Sequence, residues 1–167
     1  VGLGAIGSMI ARAALDLGMK VIGYDPALSV DAAWRLPSAV KKMENLGSLF
    51  ARADYITLHL PVLDATRGLV NAELLSNCRP GTCLLNFARE EIVDVAAVID
   101  ALDAGQLRRF ITDFPTPELI ARDEDVVLMP HIGASTDEAE ENCAIMAADQ
   151  LDDFLHRDLL FHRTCSG

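Results

Sequence analysis

Short apolar segments alternate along the chain with segments whose apolar residues recur at helical spacing. The short segments are rich in β-branched or aromatic residues and cover residues 21–24, 55–58, 83–85, 110–112 and 126–128. Runs of this length and composition are typical of buried parallel strands. Their alternation with helices predicts an α/β fold built on a doubly wound parallel sheet, with ligands bound at the carboxyl ends of the strands.

Three helices have recognisable ends in the sequence. We expect one over residues 8–17, a second over 95–104 that Asp94 caps, and a last one from the capping-box sequence at Ser135 to about residue 156. Glycines follow the first two segments, as is common where a helix ends. The first helix presents one apolar face, formed by Ile10, Ala13, Ala14 and Leu17.

The composition fits one globular domain. The 167 residues are 51% apolar and 23% charged, which excludes a disordered chain and a small disulfide-stabilised fold. The net charge of −11 argues against nucleic acid and anionic membranes as partners, because both would repel the chain. No apolar run has the length of a membrane span. The four cysteines form no metal-binding spacing, so we expect no bound metal and free thiols in a reducing compartment, the cytoplasm.

A glycine motif opens the chain and leads directly into the first helix. Its three glycines, Gly2, Gly4 and Gly7, allow a tight turn and the close approach of a pyrophosphate to the helix N-terminus. Asp25 ends the next strand, 18 residues beyond Gly7. A carboxylate at this place accepts hydrogen bonds from ribose hydroxyls and repels a 2′-phosphate, which predicts NAD rather than NADP. The alternative is a glycine turn followed by a solvated aspartate.

Charged side chains follow three of the predicted strands. Arg89, Asp113 and His131 each lie just past a strand, and Glu118 lies in the loop that Asp113 opens. Hydride transfer to or from an α-hydroxy acid needs an acid/base, which a histidine beside a carboxylate supplies, and a cation for the carboxylate group, which an arginine supplies. The alternatives are a structural histidine, a solvated arginine and an acidic loop.

The order of the motifs resembles the D-isomer-specific 2-hydroxyacid dehydrogenases over nearly the whole chain, most closely their phosphoglycerate branch. The segments that carry the resemblance are residues 1–7, 53–61, 66–70, 85–89, 92–94, 112–118 and 130–136. The resemblance implies a Rossmann-type NAD-binding domain and, with a small 2-hydroxy acid as substrate, the oxidation of 3-phosphoglycerate to 3-phosphohydroxypyruvate at the start of serine biosynthesis. It also implies a homodimer formed through the NAD-binding domain.

The resemblance also assigns roles to individual residues. His131 would exchange the proton of the substrate oxygen, Glu118 would orient His131, and Arg89 would hold the substrate carboxylate. Asp113 would contact the nicotinamide and Asp25 the adenosine ribose. The resemblance places Arg89 and His131 at the cofactor as well as at the substrate. The other residues that it places at the cofactor are Gly2, Gly4, Ala5, Ile6, Gly7, Leu60, Pro61, Phe87, Ala88, Gly133 and Ala134. The sequence at residues 59 and 61 is also compatible with a purely structural loop.

Three features depart from the family pattern. Glu90 follows Arg89 where the family has glycine, and a positive φ there would strain the arginine loop. We expect residues 1–156 to form the dinucleotide-binding domain with its first strand largely truncated, and residues 157–167 to be a tail. We expect the substrate domain to lie outside this chain.

Open alternatives are a non-catalytic NAD-binding or assembly module, a hydroxypyruvate or glyoxylate reductase, and the product of a partial reading frame.

Overall fold

The computed structural model of the protein describes residues 1–133 and 135–157, with the side chains of Asp31, His156 and Arg157 left out. The chain forms two compact units, Val1–Met129 and Pro130–Gly167, and each is described by itself below. The predicted extent of the dinucleotide-binding domain, residues 1–156, stays a prediction. The predicted tail lies almost wholly outside the described residues.

The first unit contains six short strands, all paired in parallel. They are β1 (Ile22–Gly23), β2 (Lys41–Lys42), β3 (Tyr55–Leu58), β4 (Thr82–Asn86), β5 (Leu107–Thr112) and β6 (Val126–Leu128). β1 pairs with β2, and the other four form a sheet in the order β3-β4-β5-β6. The five predicted strands are confirmed, whereas β2 had no apolar pattern by which to predict it, because both of its lysines are exposed.

Residues 1–3 lie between the two groups of strands. The Val1 amine donates to Thr57 O at 2.7 Å, His59 N donates to Val1 O at 2.8 Å, and Gly2 N donates to Tyr24 O at 2.9 Å. The first two bonds have the pattern of a parallel pair. These residues therefore take the place of a central strand, from which the chain winds first to β1 and β2 and then back to β3 on the other side. This is the doubly wound arrangement, in which the reversal of strand order marks the ligand crevice.

Seven helices and one 3₁₀ turn are found among the described residues. They are α1 (Ala5–Asp16), α2 (Val30–Arg35), α3 (Leu46–Phe50), α4 (Ala72–Leu75), the 3₁₀ turn (Glu90–Ile92), α5 (Val95–Asp103), α6 (Pro117–Ile120) and α7 (Asp137–Arg157). Asp94 caps α5 as predicted, with Oδ1 accepting from Ala97 N at 3.2 Å. The predicted cap of α7 was wrong by one residue. Thr136 Oγ1, not Ser135, accepts from the helix, at 3.1 Å from Ala139 N. No helix of the described part is long and apolar enough to cross a membrane.

The apolar face of α1 that the sequence shows is not the face that the helix buries. Gly7 and Ala11 are its buried residues, whereas Ile10 and Leu17 are 43% and 81% exposed. Small residues one turn apart let the helix approach the loop at residues 2–4 closely, and a larger side chain on that face would hold it away. The helix packs through its smallest side chains.

The core of the first unit lies between the sheet and the helices that cross it. Its largest fully buried side chains include Phe50 of α3, Ile56 of β3, Leu84 of β4, Val98 of α5 and Phe110 of β5. Buried residues alternate with more exposed ones on β3 and at the end of β5, β4 is buried along almost its whole length, and the buried residues of α5 recur at helical spacing. Burial of their apolar surface supplies the main favourable term for folding and fixes the strand ends that carry the candidate site.

An ion-pair cluster closes the edge of the sheet at β6. Arg122 Nη2 lies 2.7 Å from Asp103 Oδ1 at the end of α5 and 2.5 Å from Asp125 Oδ2 just before β6. Hydrogen bonds from Arg122 lower the pKa of the Asp125 carboxyl. The Arg122 side chain is only 23% exposed, so this cluster is screened less than the surface pairs of the chain.

Candidate functional site

The three glycines of the loop before α1 have different surroundings. A Cβ on Gly2, whose φ is +81°, would lie 2.3 Å from His59 O, and a Cβ on Gly7 would lie 2.0 Å from Gly2 O. A Cβ on Gly4 would meet no atom within 4 Å. Gly2 and Gly7 therefore allow the turn and the packing of α1, while Gly4 leaves open space above the backbone. This is the division of roles that a pyrophosphate-binding loop requires.

The N-terminus of α1 faces the same open space. Gly4 is its N-cap and provides no side-chain hydrogen bond, and the first turn contains no acidic residue. The first-turn N–H groups and the helix dipole are therefore available to an anion. Ala5 and Ile6 are exposed there. These residues fit the pyrophosphate of a dinucleotide.

Asp25 is held in place by two backbone N–H groups. Its Oδ2 accepts from Leu3 N at 2.8 Å and its Oδ1 accepts from Ala27 N at 2.9 Å. The first bond joins the segment just after β1 to the glycine loop, so the carboxylate lies beside that loop. Each carboxylate oxygen can accept a second hydrogen bond. The half-buried Asp25 is thus a suitable acceptor for ribose hydroxyls, and its negative charge disfavours a 2′-phosphate.

The segment after β3 packs against the glycine loop from the other side. His59 Nε2 lies 3.0 Å from Thr57 Oγ1, and burial lowers the pKa of the His59 ring to about 4. The imidazole is therefore neutral near pH 7 and supports the turn at Gly2. Thr66 Oγ1 donates to Pro61 O at 2.6 Å, which orders the segment that follows. The predicted contacts of Leu60 and Pro61 with a cofactor stay predictions.

The turn that carries Arg89 is built on a buried amide. Asn86 ends β4 and is 1% exposed. Its Nδ2 donates to Arg89 O at 2.9 Å, and its Oδ1 accepts from Ala88 N at 3.2 Å. Arg89 is exposed, and its Nη1 donates to Ala88 O at 2.7 Å. Phe87 and Ala88 lie in the same turn, at the carboxyl end of β4.

Glu90 does not strain this turn. It begins the 3₁₀ turn Glu90–Ile92, and Arg89 before it is extended, with φ −154° and ψ 145°. A 3₁₀ turn has negative φ, which any L-residue adopts. The predicted strain after Arg89 is therefore absent. What remains is a charge effect, because Glu90 and Glu91 are both exposed beside Arg89.

A second turn, which carries Asp113, lies next to the arginine turn. Thr112 ends β5 in register with Asn86. Its hydroxyl donates to Asn86 O at 2.8 Å, and its Oγ1 accepts from Phe114 N at 3.2 Å. The carboxyl ends of β4 and β5 thus meet at one edge, as expected for neighbouring parallel strands. The structure brings Asp113 and Arg89 to this edge on adjacent turns.

Glu118 lies in the first turn of α6, not in a loop as the sequence predicted. Thr116 caps this helix, with Oγ1 3.4 Å from Leu119 N, and Pro117 begins it. Hydrogen bonds from its own N–H and from Thr116 lower the pKa of the exposed Glu118 carboxyl. A Thr-Pro-Glu sequence combines an N-cap, a favoured first residue and a first-turn acid. That pattern could have identified the helix.

His131 and Gly133 belong to the second unit, where they follow Pro130 in an exposed turn. Ile132 N donates to Pro130 O and Ser135 N donates to Ile132 O, each at 3.0 Å. Ala134 lies outside the described residues. The predicted meeting of His131 with Arg89 and Glu118 stays a prediction. No cluster of three potential metal-ligating side chains is found in the described ranges.

Sequence reasoning missed Asn86 and Thr112. Both are polar, 1% exposed and placed where an apolar strand ends. A buried polar side chain needs a hydrogen-bonded partner, and here the partners are the two turns that hold candidate site residues. A polar residue that closes an apolar strand was the signal available in the sequence.

The glycine loop, the uncapped helix N-terminus and the fixed Asp25 together define a dinucleotide-binding α/β domain. Residues 1–133 match the family model described as "D-isomer specific 2-hydroxyacid dehydrogenase, NAD binding domain". The chain belongs to this family. NAD, the cofactor predicted from the glycine motif and Asp25, is thereby confirmed.

Curated relatives agree with this assignment. The chain is 37% identical over 160 residues to a D-3-phosphoglycerate dehydrogenase of Synechocystis sp. and 36% identical over 160 residues to one of Homo sapiens. Each alignment covers 93% of this chain but only 28% and 30% of the relative. The chain thus spans less than a third of the length of these relatives.

Solved structures of the family share the fold. D-mandelate dehydrogenase of Rhodotorula graminis matches with a TM-score of 0.81 and 29% identity over 92% of this chain and 46% of that structure. A D-2-hydroxyisocaproate dehydrogenase matches with a TM-score of 0.81 and 27% identity over 95% of this chain and 52% of that structure. The predicted doubly wound, Rossmann-type parallel sheet is confirmed.

Proposed function

We propose that the protein is an NAD-dependent oxidoreductase that oxidises 3-phosphoglycerate to 3-phosphohydroxypyruvate, the first step of serine biosynthesis. The observation that carries the proposal is the glycine cradle at Gly4 with Asp25 fixed beside it, in a chain whose relatives are named D-3-phosphoglycerate dehydrogenases. The cradle supports a dinucleotide, and the names of the relatives favour this substrate among the 2-hydroxy acids.

The first unit would hold the cofactor along the loop and the adjacent strand ends. The N–H groups at Ala5 and Ile6 would bind the pyrophosphate, and Asp25 would accept hydrogen bonds from the adenosine ribose. Asp113 would contact the nicotinamide end. NAD, when bound, supplies the acceptor for the hydride. Every other requirement of the reaction falls on side chains of the protein.

The reacting end needs one cation and one acid/base. The planar guanidinium of Arg89 would bind the substrate carboxylate and polarise the carbonyl oxygen. His131 would take the hydroxyl proton as the hydride leaves carbon, and would return it in the reverse direction. Glu118, which its lowered pKa keeps ionised, would stabilise the protonated form of His131.

The substrate phosphate would be bound by the substrate domain predicted to lie outside these residues.

We further propose a homodimer formed through the NAD-binding domain, acting in the cytoplasm on a small 2-hydroxy acid. Light scattering coupled to size exclusion tests the dimer, because a molar mass of one chain would contradict it.

The function is tested by following NADH formation at 340 nm with the protein expressed at its natural length. The panel contains 3-phosphoglycerate, D-glycerate and D-lactate, with hydroxypyruvate and glyoxylate in the reverse direction. We expect 3-phosphoglycerate to give the highest kcat/KM, NAD to be preferred to NADP, and His131→Gln to abolish most turnover. The surface change Arg79→Lys serves as the control for Arg89→Lys. Among the described residues, the exposed Arg79 side chain pairs with the exposed Asp54 at 3.4 Å and donates to Arg52 O.

Turnover and NADH binding together distinguish two of the alternatives from the proposed function. A higher kcat/KM with hydroxypyruvate or glyoxylate than with 3-phosphoglycerate would identify a different reductase of the family. Tight NADH binding in calorimetry with no turnover of any substrate would identify a non-catalytic NAD-binding module. Absence of NADH binding would contradict both the cofactor site and the enzyme.

A further inference from the structure

Asn86 uses its whole side chain to shape the arginine turn. Its amide nitrogen donates to Arg89 O, and its amide oxygen accepts from Ala88 N, so the side chain closes a ring across the turn. At 1% exposure water cannot replace either partner. Both hydrogen bonds of the Asn86 side chain therefore form only when the backbone of the turn has this arrangement, which fixes the position from which the Arg89 side chain extends.

The same residue is joined to the neighbouring turn through its backbone. Asn86 O accepts the Thr112 hydroxyl at 2.8 Å, and Thr112 Oγ1 accepts from Phe114 N at 3.2 Å. Phe114 directly follows Asp113, so the chain of hydrogen bonds runs from the Arg89 turn to the Asp113 turn. Both hydroxyl and amide are buried, which makes each bond costly to leave unmade.

We propose that Asn86 is a positioning residue that acts through Arg89, and that Thr112 fixes this arginine turn relative to the turn carrying Asp113. The inference rests on the proposed function, in which Arg89 holds the substrate carboxylate and Asp113 contacts the nicotinamide. A guanidinium binds a carboxylate through two parallel hydrogen bonds, so a small tilt of the turn weakens both. Displacements of this kind reduce reaction rates without removing any group that touches the substrate.

The test is a double-mutant cycle on kcat/KM with the protein at its natural length. Asn86→Ala is expected to lower kcat/KM by about 10- to 100-fold, the range found when residues that orient metal-ligating side chains are lost. In an Arg89→Ala background the same change should alter kcat/KM by less than about 3-fold, because residues that act as a unit are not additive. NADH affinity and the urea midpoint are measured for every variant.

A second pair of variants separates positioning from stability. Thr82 and Thr112 are both 1% exposed. Thr82 Oγ1 lies 2.8 Å from Arg79 O and 3.1 Å from Ala53 O, at the amino end of β4 and away from the site. Thr82→Val and Thr112→Val therefore each remove one buried hydroxyl. We expect similar shifts of the urea midpoint, and a loss of kcat/KM only for Thr112→Val.

The outcomes distinguish the two proposals. Turnover by the wild type, with additive effects of Asn86→Ala and Arg89→Ala, would overturn the positioning role alone. So would equal effects of the two valine variants on kcat/KM, even if Asn86→Ala failed to fold. A wild type that turns over no 2-hydroxy acid would overturn the proposed function and this inference with it.

Discussion

The three glycines of the loop before α1 differ in what an added methyl group would meet, and alanine replacements can therefore separate folding from cofactor binding. At Gly7 the new Cβ would lie 2.0 Å from Gly2 O, against a closest approach of 3.0 Å for real Cβ atoms. Both contacting groups belong to the backbone, so α1 and the loop must move apart. At Gly4 the methyl group would enter open space, and φ is −64°.

The expected magnitudes follow from these contacts. Gly7→Ala should lower the free energy of unfolding by about 3 kcal/mol, near the upper end of the usual overpacking cost. Gly2→Ala should cost about 3–5 kcal/mol, because a left-handed φ adds about 1–2 kcal/mol to the clash with His59 O. Gly4→Ala should cost at most about 1 kcal/mol, because alanine is a poorer N-cap residue than glycine but its methyl group would meet no atom within 4 Å.

Gly4→Ala, the variant with the smallest expected loss of stability, should have the largest effect on cofactor binding. A methyl group at Gly4 would occupy the space through which the pyrophosphate approaches the loop, so the Kd for NADH should rise at least about 10-fold, or 1.4 kcal/mol. Gly105→Ala is the matched control. Its φ of +71° resembles that of Gly2, yet its Cβ would meet nothing within 4 Å, so it should cost about 1–2 kcal/mol from the backbone alone and leave the Kd unchanged.

Urea unfolding followed by circular dichroism measures stability, and calorimetry measures NADH binding. Circular dichroism is preferable to fluorescence, because the single tryptophan, Trp34, is 84% exposed and reports little on the core. Wild-type NADH affinity in Gly4→Ala would refute the placement of the cofactor at this loop. Wild-type stability in Gly7→Ala would refute the packing of α1 against it.

Three further predictions concern charge and reactivity. Arg122→Ala should lower the free energy of unfolding by about 1–2 kcal/mol because two aspartates lose a partly buried partner, whereas the exposed Arg79→Ala should cost less than about 0.5 kcal/mol in the same urea titration. Because the pKa of His59 falls from 6.5 to about 4 on folding, the unfolded state binds a proton that the folded state excludes. The contribution of His59 to stability should therefore be complete above pH 6.5, decrease by about 2 kcal/mol (after allowance for partial exposure) as the pH falls from 6.5 to about 4, and stay constant below that, and His59→Gln should lack this decrease. Iodoacetamide should label the exposed Cys143 in the native protein and spare Cys78, whose buried thiol has a pKa raised to about 11; equal labelling in peptide mass spectra would contradict the burial.

The sequence predicted the elements whose signals are local. A run such as Tyr55–Leu58 and a cap such as Asp94 act over a few residues, and both are found where expected. No local signal predicts which face of α1 is buried, because that depends on how closely the helix approaches the loop at Gly2. Ala11 is buried there and Ile10 is exposed. The larger apolar residue was therefore a misleading guide.

The site shows the same division. Asp25 was predictable, since its spacing from the glycine loop follows from one strand and one helix. The roles of Asn86 and Thr112 could not be predicted in this way. Asn86 bonds to the turn at Arg89, and its other partner, Thr112, lies on the adjacent strand, 26 residues further along the sequence. Pairing of β4 with β5 has to be known before the two residues can be recognised as neighbours. Sequence patterns place a residue at a strand end, but only the register of the sheet shows what it contacts there.

Glu90 illustrates how a departure from a family motif has to be judged by its backbone. A glycine in that place suggests a positive φ, yet the 3₁₀ turn that begins at Glu90 has a conformation open to any L-residue. The departure is therefore one of charge. Glu91 is already paired with Arg67, at 3.9 Å between half-exposed side chains, and charges at such exposed places interact weakly in water. Glu90 can weaken the attraction of Arg89 for an anion, but it leaves intact the turn that Asn86 holds.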